Sequence, residues 1–263
     1  NLATAGIYGL YLTLESTVAT VAGALTGPIQ PDIYNSYAKA DSNALSKVLY
    51  SGIRLTLVLS NVFLLILLLF RYEIIEVWLG KGFEDLAIPI AVGIPLLTFS
   101  SAFAPYIAVL NAYRKTKVIA IATVISGVGN VLTVLILYPL NQLDLSTLSL
   151  SSGIWKVVKM AIIIVVCEQS LTKAINVFSK MAFKFLLSFL PSLLIGMYVI
   201  YPKVGGSLLG LLLGTILVSS IWLMSAFLVL DTEDLERLLG SVWHKSTIGR
   251  YHKALAEWHN RTQ

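Results

Sequence analysis

The sequence predicts an all-α fold, a polytopic bundle of transmembrane helices, and three features indicate it. Of the 263 residues, 57% are hydrophobic and only 13% are charged, whereas soluble domains average about 45–50% and about 25%. The mean hydropathy is +0.81, and several long stretches carry no Lys, Arg, Asp or Glu. Because a soluble fold cannot hide so much apolar surface, we expect the chain to be embedded in a membrane.

Seven segments are candidates to cross the hydrocarbon core of a bilayer, which needs roughly 20 apolar residues of helix. The first carries only Glu15, whereas the fifth is interrupted by Lys156, Lys159 and Glu168. In chain order the seven are Asn1–Pro31, Leu55–Phe70, Leu86–Tyr113, Val118–Leu143, Ile154–Thr172, Phe185–Pro202 and Val204–Leu230.

The loops between these segments predict the orientation of the bundle. Most of the 19 Lys and Arg residues fall at one side of it, and cytoplasmic loops are the ones enriched in basic residues. The N-terminus is therefore expected outside and the C-terminus inside. The same bias accounts for the net charge of +5 without a nucleic-acid partner.

An odd number of spans, an outside start and the absence of an initiating Met suggest the second half of a larger transporter. We expect the preceding helices, an N-terminal lobe, to be missing, cleaved or supplied by another chain. Residues 1–230 would then form the bundle of the C-terminal lobe.

Residues 231–263 differ from the bundle because their apolar residues are spaced as one helical stripe. Leu235, Leu238, Leu239, Val242 and Trp243 recur at the interval of a helix face. This pattern predicts a cytoplasmic amphipathic tail, either lying along the inner membrane surface or packed on the ends of the bundle.

The sequence offers no sign of an enzyme, a metal site or a cofactor. All three histidines lie in the tail, and Cys167 is the single cysteine, so ligands for haem or copper are missing from the spans. There is neither a phosphate-binding P-loop nor a nucleophile elbow. We therefore expect no catalytic residue.

The polar residues inside the predicted spans are the candidate functional residues. Glu15 lies near the middle of the first span, where an ionised carboxylate is costly unless it faces water, a cation or a hydrogen-bonding network. It is either a substrate- or ion-pathway residue or a neutral glutamate bonded to a neighbouring helix. Glu168 is either a pathway residue or, nearer the cytoplasmic end, a side chain that reaches the headgroups or lies in an exposed loop. Lys156 and Lys159 are expected near the outer surface, with their ammonium groups reaching the headgroups.

The span Leu86–Tyr113 contains Pro89, Pro95 and Pro105. Each proline removes a backbone donor, so this helix is expected to be kinked or interrupted. Transporters use such breaks as gates, although proline is also common in ordinary membrane helices.

The order of several short motifs resembles a known family. They are Pro28-Ile29-Gln30-Pro31, Tyr37-Ala38-Lys39-Ala40-Asp41, Ile74-Ile75-Glu76-Val77-Trp78-Leu79-Gly80, Leu110-Asn111-Ala112-Tyr113-Arg114-Lys115-Thr116-Lys117 and Gly129-Asn130. Together they resemble the C-terminal lobe of polysaccharide and lipid-linked oligosaccharide flippases, in the MATE-like transporter superfamily. The similarity extends over roughly half of the chain, to about Leu140.

The resemblance implies a multi-pass protein of the plasma membrane with two lobes that rock between inward- and outward-open states. Its partners would be membrane lipid, a lipid-linked glycan and the missing N-terminal lobe. By the same analogy Glu15 and Arg54 face a central cavity, where Glu15 couples or binds and Arg54 pairs with pyrophosphate or an acidic sugar. Arg54 is otherwise an ordinary basic anchor at the cytoplasmic side. Two alternatives stay open: a MATE-type drug or cation antiporter, and a non-catalytic structural subunit of a larger membrane complex.

Overall fold

The computed structural model describes residues 2–140, 143–204, 208–226 and 230, and within these segments the chain is helical and contains no strand. The eleven helices of this part are α1 (Leu2–Thr26), α2 (Gln30–Ala38), α3 (Ser42–Leu69), α4 (Arg71–Leu79), α5 (Ala87–Ser101), α6 (Pro105–Ala112), α7 (Thr116–Leu137), α8 (Leu145–Glu168), α9 (Leu171–Ile195), α10 (Tyr201–Val204) and α11 (Leu208–Ala226). The predicted amphipathic tail, 231–263, lies outside the described residues.

Five helical segments in the described part are long and apolar enough to cross a membrane. They are Ser42–Leu69, Glu84–Ala112, Thr116–Leu137, Leu145–Glu168 and Leu171–Lys203. These segments confirm the all-helical, membrane-type architecture and correspond to five of the seven predicted spans.

The first and last predicted spans correspond to α1 and α11. The polar side chains of Thr13, Glu15, Ser16 and Thr17 lower the hydropathy of α1, and α11 supplies only a shorter apolar stretch, Leu209–Met224. The count of seven spans and the N-out, C-in orientation remain predictions.

Helix α5 is the centre of the bundle because α8, α1 and α3 all pack against it. Aromatic rings also hold α9 to this centre. Phe99 on α5 makes edge-to-face contacts with Phe178 and Phe185 on α9, with ring centroids 5.1 and 5.4 Å apart. Such pairs add specific geometry to the burial of apolar area.

The proline-rich span is interrupted at one place. Residues 102–104 form a turn between α5 and α6, and Pro105 is the first residue of α6. Pro95 lies inside α5 and Pro89 lies in its first turn. The predicted interruption is confirmed at Pro105, where the ring cannot supply the backbone donor that would continue α5.

Helix α8 begins earlier than the sequence pattern indicated. The expected start was Ile154, but the helix starts at Leu145, after Asp144. The Asp144 carboxylate accepts a hydrogen bond from the backbone N–H of Thr147 at 2.6 Å, and the Thr147 hydroxyl accepts one from the N–H of Asp144 at 3.0 Å. This reciprocal capping box satisfies donors that a helix start leaves unpaired. It also places Lys156 in the middle of α8, whereas the expected start at Ile154 would have put it in the first turn.

Candidate functional site

Two charged residues meet in the middle of the bundle. Glu15 is residue 14 of the 25 in α1, and Lys156 is residue 12 of the 24 in α8. The Lys156 ammonium forms a salt bridge with Glu15 Oε1, and the Glu15 side chain is only 8% exposed. The Ser152 hydroxyl donates to the same oxygen at 3.2 Å. Glu15 is therefore bonded to a neighbouring helix, and its partners there are a cation and a hydroxyl group.

Small residues bring α1, α5 and α8 close enough for this pair to form. A Cβ on Gly93 of α5 would overlap the Tyr11 hydroxyl of α1, and it would lie 3.0 Å from the Ser149 Cβ of α8. A Cβ on Gly153 of α8 would lie 2.8 Å from the Leu96 Cβ of α5. Glycine at both positions permits backbone approach at the helix crossing, and Glu15 and Ser152 follow about one turn after Tyr11 and Ser149.

A cavity of about 230 Å³ lies beside the ion pair, between α1, α5, α8 and the start of α6. Its walls are made mostly of small residues of α1 and α5, including Ala19, Gly23 and Ser100, while Lys156 and Lys159 contribute the charged groups. Lys159 is half-buried, and it forms no ion pair within the described part of the chain. With Glu15 paired to Lys156, one positive charge faces this cavity without a counter-charge among the described residues.

Glu168 belongs to a second arrangement, at the end of α8. Its Oε1 accepts hydrogen bonds from the hydroxyls of Tyr106 at 2.6 Å and Tyr50 at 3.1 Å. Tyr106 is fully buried, while Glu168 is only partly buried. The adjacent Cys167 thiol lies 3.9 Å from the Tyr106 carbonyl oxygen, at weak hydrogen-bond distance. The Glu168 carboxylate therefore lies at a helix end, partly exposed, with two hydroxyl donors and no ion pair within the described residues.

A polar cavity of about 200 Å³ opens onto Glu168. Its walls come from α3, α6, α8 and the loop that follows α6. Serine hydroxyls of Ser42 and Ser46, the Tyr113 ring and the Lys115 ammonium line it together with Glu168. It therefore mixes one acid, one base, hydroxyls and aromatic rings.

The structure does not bring the predicted site residues into a single cavity. Arg54 is half-buried on α3 and lies outside the linings of both polar cavities. Pro105 begins the helix that carries Tyr106, and Pro89 and Pro95 lie on α5, the helix that separates α1 from much of α8. Glu168 lines one polar cavity, whereas Glu15 lines neither and reaches the other only through its partner Lys156.

Sequence reasoning missed two groups of residues. Lys156 was assigned to the surface because the start of its helix was placed too late, and the cap pattern Asp144-x-x-Thr147 could have corrected this. Tyr50 and Tyr106 gave no signal, since nothing in the sequence pairs residues so far apart. Within the described residues no group of His, Cys, Asp and Glu could hold a metal ion.

Comparison with known proteins identifies no relative of this chain. No protein-family model matches it, and neither a curated protein nor a solved structure shows significant similarity. Its function must therefore be argued from the geometry above.

Proposed function

We propose that this chain is one lobe of a plasma-membrane transporter that moves lipid-linked oligosaccharide or polysaccharide precursors by alternating access. The observation that carries the proposal is the Glu15–Lys156 pair, placed at mid-helix beside a cavity that also exposes Lys159. The resemblance of the motifs to flippases supplies the substrate class.

The charges at this cavity favour an anionic ligand. Lys at the centre of a membrane helix costs roughly 2.5–3.5 kcal/mol on insertion scales, and polar residues in such places line pathways more often than lipid. Glu15 offsets one of the two ammonium groups, which leaves Lys159 for the ligand. A phosphate or diphosphate linking a sugar to a lipid has the charge to complement it.

The position of the ion pair also fits a moving transporter. Glu15 and Lys156 belong to helices that α5 separates over much of their length. Separation of α1 from α8 would expose the Glu15 carboxylate to the cavity that Lys156 already lines. The two helices would then alternate between a paired and a separated arrangement. An anionic group that binds the ammonium groups more tightly in one arrangement would shift the equilibrium towards it.

The partner lobe is proposed on the basis of α7. Only 11% of the most apolar stretch of α7 is buried, against 72% of that of α3. Its side chains Val124 and Leu135 are each 62% exposed. Lipid or a second lobe would cover this face.

A flipping assay on the full-length protein tests the proposal. The protein is reconstituted in liposomes with a fluorescent lipid that carries a diphosphate-linked oligosaccharide, and a membrane-impermeant quencher reports the fraction that has crossed. Lys159→Gln is expected to slow crossing at least tenfold. Lys81→Gln is the matched control, because Lys81 is 87% exposed on the surface and its contact with Glu76 is long, at 3.9 Å.

Three results would overturn the proposal. Folded wild-type protein that gives no crossing above empty liposomes would favour the structural subunit. Exchange of organic cations against protons or sodium, without lipid movement, would favour the antiporter. Equal rates for Lys159→Gln and wild type would remove this cavity from the pathway.

A further inference from the structure

The Glu168 cavity lies where several helices end, which is the depth at which lipid headgroups meet a membrane protein. Ser42 is the first residue of α3, Glu168 is the last of α8, and Lys115 immediately precedes α7. These helices belong to three of the five segments able to cross a membrane. A ligand in this cavity would therefore lie at the edge of the apolar zone rather than at its centre.

One wall of the cavity is suited to an ammonium group. Both tyrosine hydroxyls converge on a single oxygen of Glu168, Oε1, and its second oxygen makes no hydrogen bond within the described part of the chain. The last carbonyl groups of α8 lack partners inside the helix, and the helix dipole places partial negative charge there. Tyrosine rings at Tyr50 and Tyr113 also line the cavity, and aromatic faces attract cations.

The cavity also contains a group suited to an anion. Lys115 is exposed, its ammonium lies 5.9 Å from the centre of the Tyr113 ring, and among the described residues it has no acidic partner. The cavity thus contains one acidic and one basic side chain, Glu168 at the end of α8 and Lys115 in the loop before α7.

We propose that this cavity binds a zwitterionic ammonium–phosphate headgroup, that of a phosphatidylethanolamine in the adjoining leaflet. The primary ammonium donates to the unused oxygen of Glu168, and the phosphate contacts Lys115. Glu168 disfavours a purely anionic lipid, and Lys115 disfavours a bare metal cation. Choline lacks the N–H donors that the carboxylate would accept, so a phosphatidylcholine binds less well. This site is separate from the cavity lined by Lys156 and Lys159 and does not depend on the transport proposal.

Binding is tested with the full-length protein in vesicles that contain phosphatidylethanolamine, phosphatidylcholine or phosphatidylglycerol in one common background lipid. Native mass spectrometry counts retained lipids, and thermal unfolding reports stabilisation, since a ligand that binds only the folded state raises its stability. Wild-type protein is expected to retain phosphatidylethanolamine at least tenfold more than either of the other lipids.

Variants identify the cavity as the source of this preference. Glu168→Gln and Lys115→Gln are each expected to reduce the preference at least tenfold, whereas Glu76→Gln, on the exposed surface, leaves it unchanged. If Glu168→Gln does not fold, Tyr50→Phe provides the second test and is expected to weaken retention severalfold.

Competition by a water-soluble headgroup distinguishes a lipid ligand from a soluble one. Phosphoethanolamine without acyl chains is expected to compete only at high concentration; competition at concentrations similar to those of the lipid would assign the site to a soluble zwitterion and overturn the lipid. Equal retention of all three lipids, or an unchanged preference in both Glu168→Gln and Lys115→Gln, would overturn the proposal.

Discussion

Glu15 and Glu168 are both carboxylates inside a membrane-type bundle, yet they are stabilised in opposite ways. Glu15 is buried at mid-helix and is paired with an ammonium group. Glu168 lies at a helix end, is partly exposed and accepts hydrogen bonds from two neutral hydroxyls. The difference shows how depth decides the partner: a charge in the apolar interior needs an opposite charge, whereas a charge at the edge needs only oriented dipoles and water.

The largest expected effect is the loss of the Glu15 counter-charge. Lys156→Met leaves a buried carboxylate unpaired, and breaking a buried ion pair costs about 3 kcal/mol or more. This loss is measured as the difference in the free energy of unfolding between Lys156→Met and wild type in detergent micelles. The double variant Glu15→Gln/Lys156→Met is expected to recover most of the loss, because neither charge is then left alone.

The control for this prediction is the exposed pair of Glu76 and Lys81. Lys81→Met is expected to leave the free energy of unfolding nearly unchanged, as exposed pairs contribute little. A double variant as unstable as Lys156→Met itself would show that the pair is not the source of the effect.

The next effect concerns the packing that surrounds Glu15. Gly93→Ala places a methyl group against the Tyr11 hydroxyl and within 3.0 Å of Ser149, and overpacking of this kind costs about 1–3 kcal/mol. Gly9→Ala on α1, where an added Cβ meets nothing within 4 Å, is the matched control. Thermal unfolding measures both, and partial rescue of Gly93→Ala by Tyr11→Phe is expected. An equal loss in Gly9→Ala would contradict the close contact.

A smaller effect is expected at Glu168. Tyr106→Phe removes the shorter of its two hydrogen bonds, and a typical hydrogen bond contributes about 1 kcal/mol. Tyr50→Phe removes the longer bond from a partly exposed ring and is expected to cost less. Denaturant unfolding of both variants compares them; the reverse order would mean that the two donors do not share the carboxylate as described.

The smallest effect is expected at the cap that positions α8, and it depends on pH. The Thr147 backbone N–H lowers the pKa of the exposed Asp144 carboxyl below its ordinary value. The stabilisation is therefore present above the unfolded-state pKa of about 3.9 and is lost as pH falls through the lower folded-state pKa. Asp144→Ala is expected to cost about 1 kcal/mol at pH 7, and unfolding below that folded-state pKa should show no difference from wild type. A pH-independent difference would mean that the charge is not involved.

The fold was easier to predict than the site, for physical reasons that particular residues illustrate. Apolar stretches such as Thr116–Leu137 predict membrane helices because the free energy of transfer into lipid depends only on the residues of the segment itself. The break before Pro105 was predictable because a proline acts on its own backbone. The start of α8 was misplaced, although Asp144 and Thr147 carried the signal in the sequence.

The site could be predicted only in part. Glu15 stood out because an acidic residue in a span is expensive wherever the chain folds. Its partner, Lys156, and the donors to Glu168, Tyr50 and Tyr106, are set by which helices pack together, and composition does not encode that packing. The sequence therefore predicts that a buried charge needs a polar or charged partner, but it does not identify the residue that provides it.

The ion pair has a consequence for how the protein is made. Glu15 is separated by 137 residues of chain from Ser152, its hydrogen-bond donor on α8. A ribosome adds about 5–20 residues per second, so α1 leaves it many seconds before α8 exists. During that interval Glu15 has neither Ser152 nor Lys156 for a partner. Glu15 therefore obtains both partners only after the fourth of the five apolar segments has been synthesised, and a ribosome stalled before Ser152 would leave this carboxylate without them.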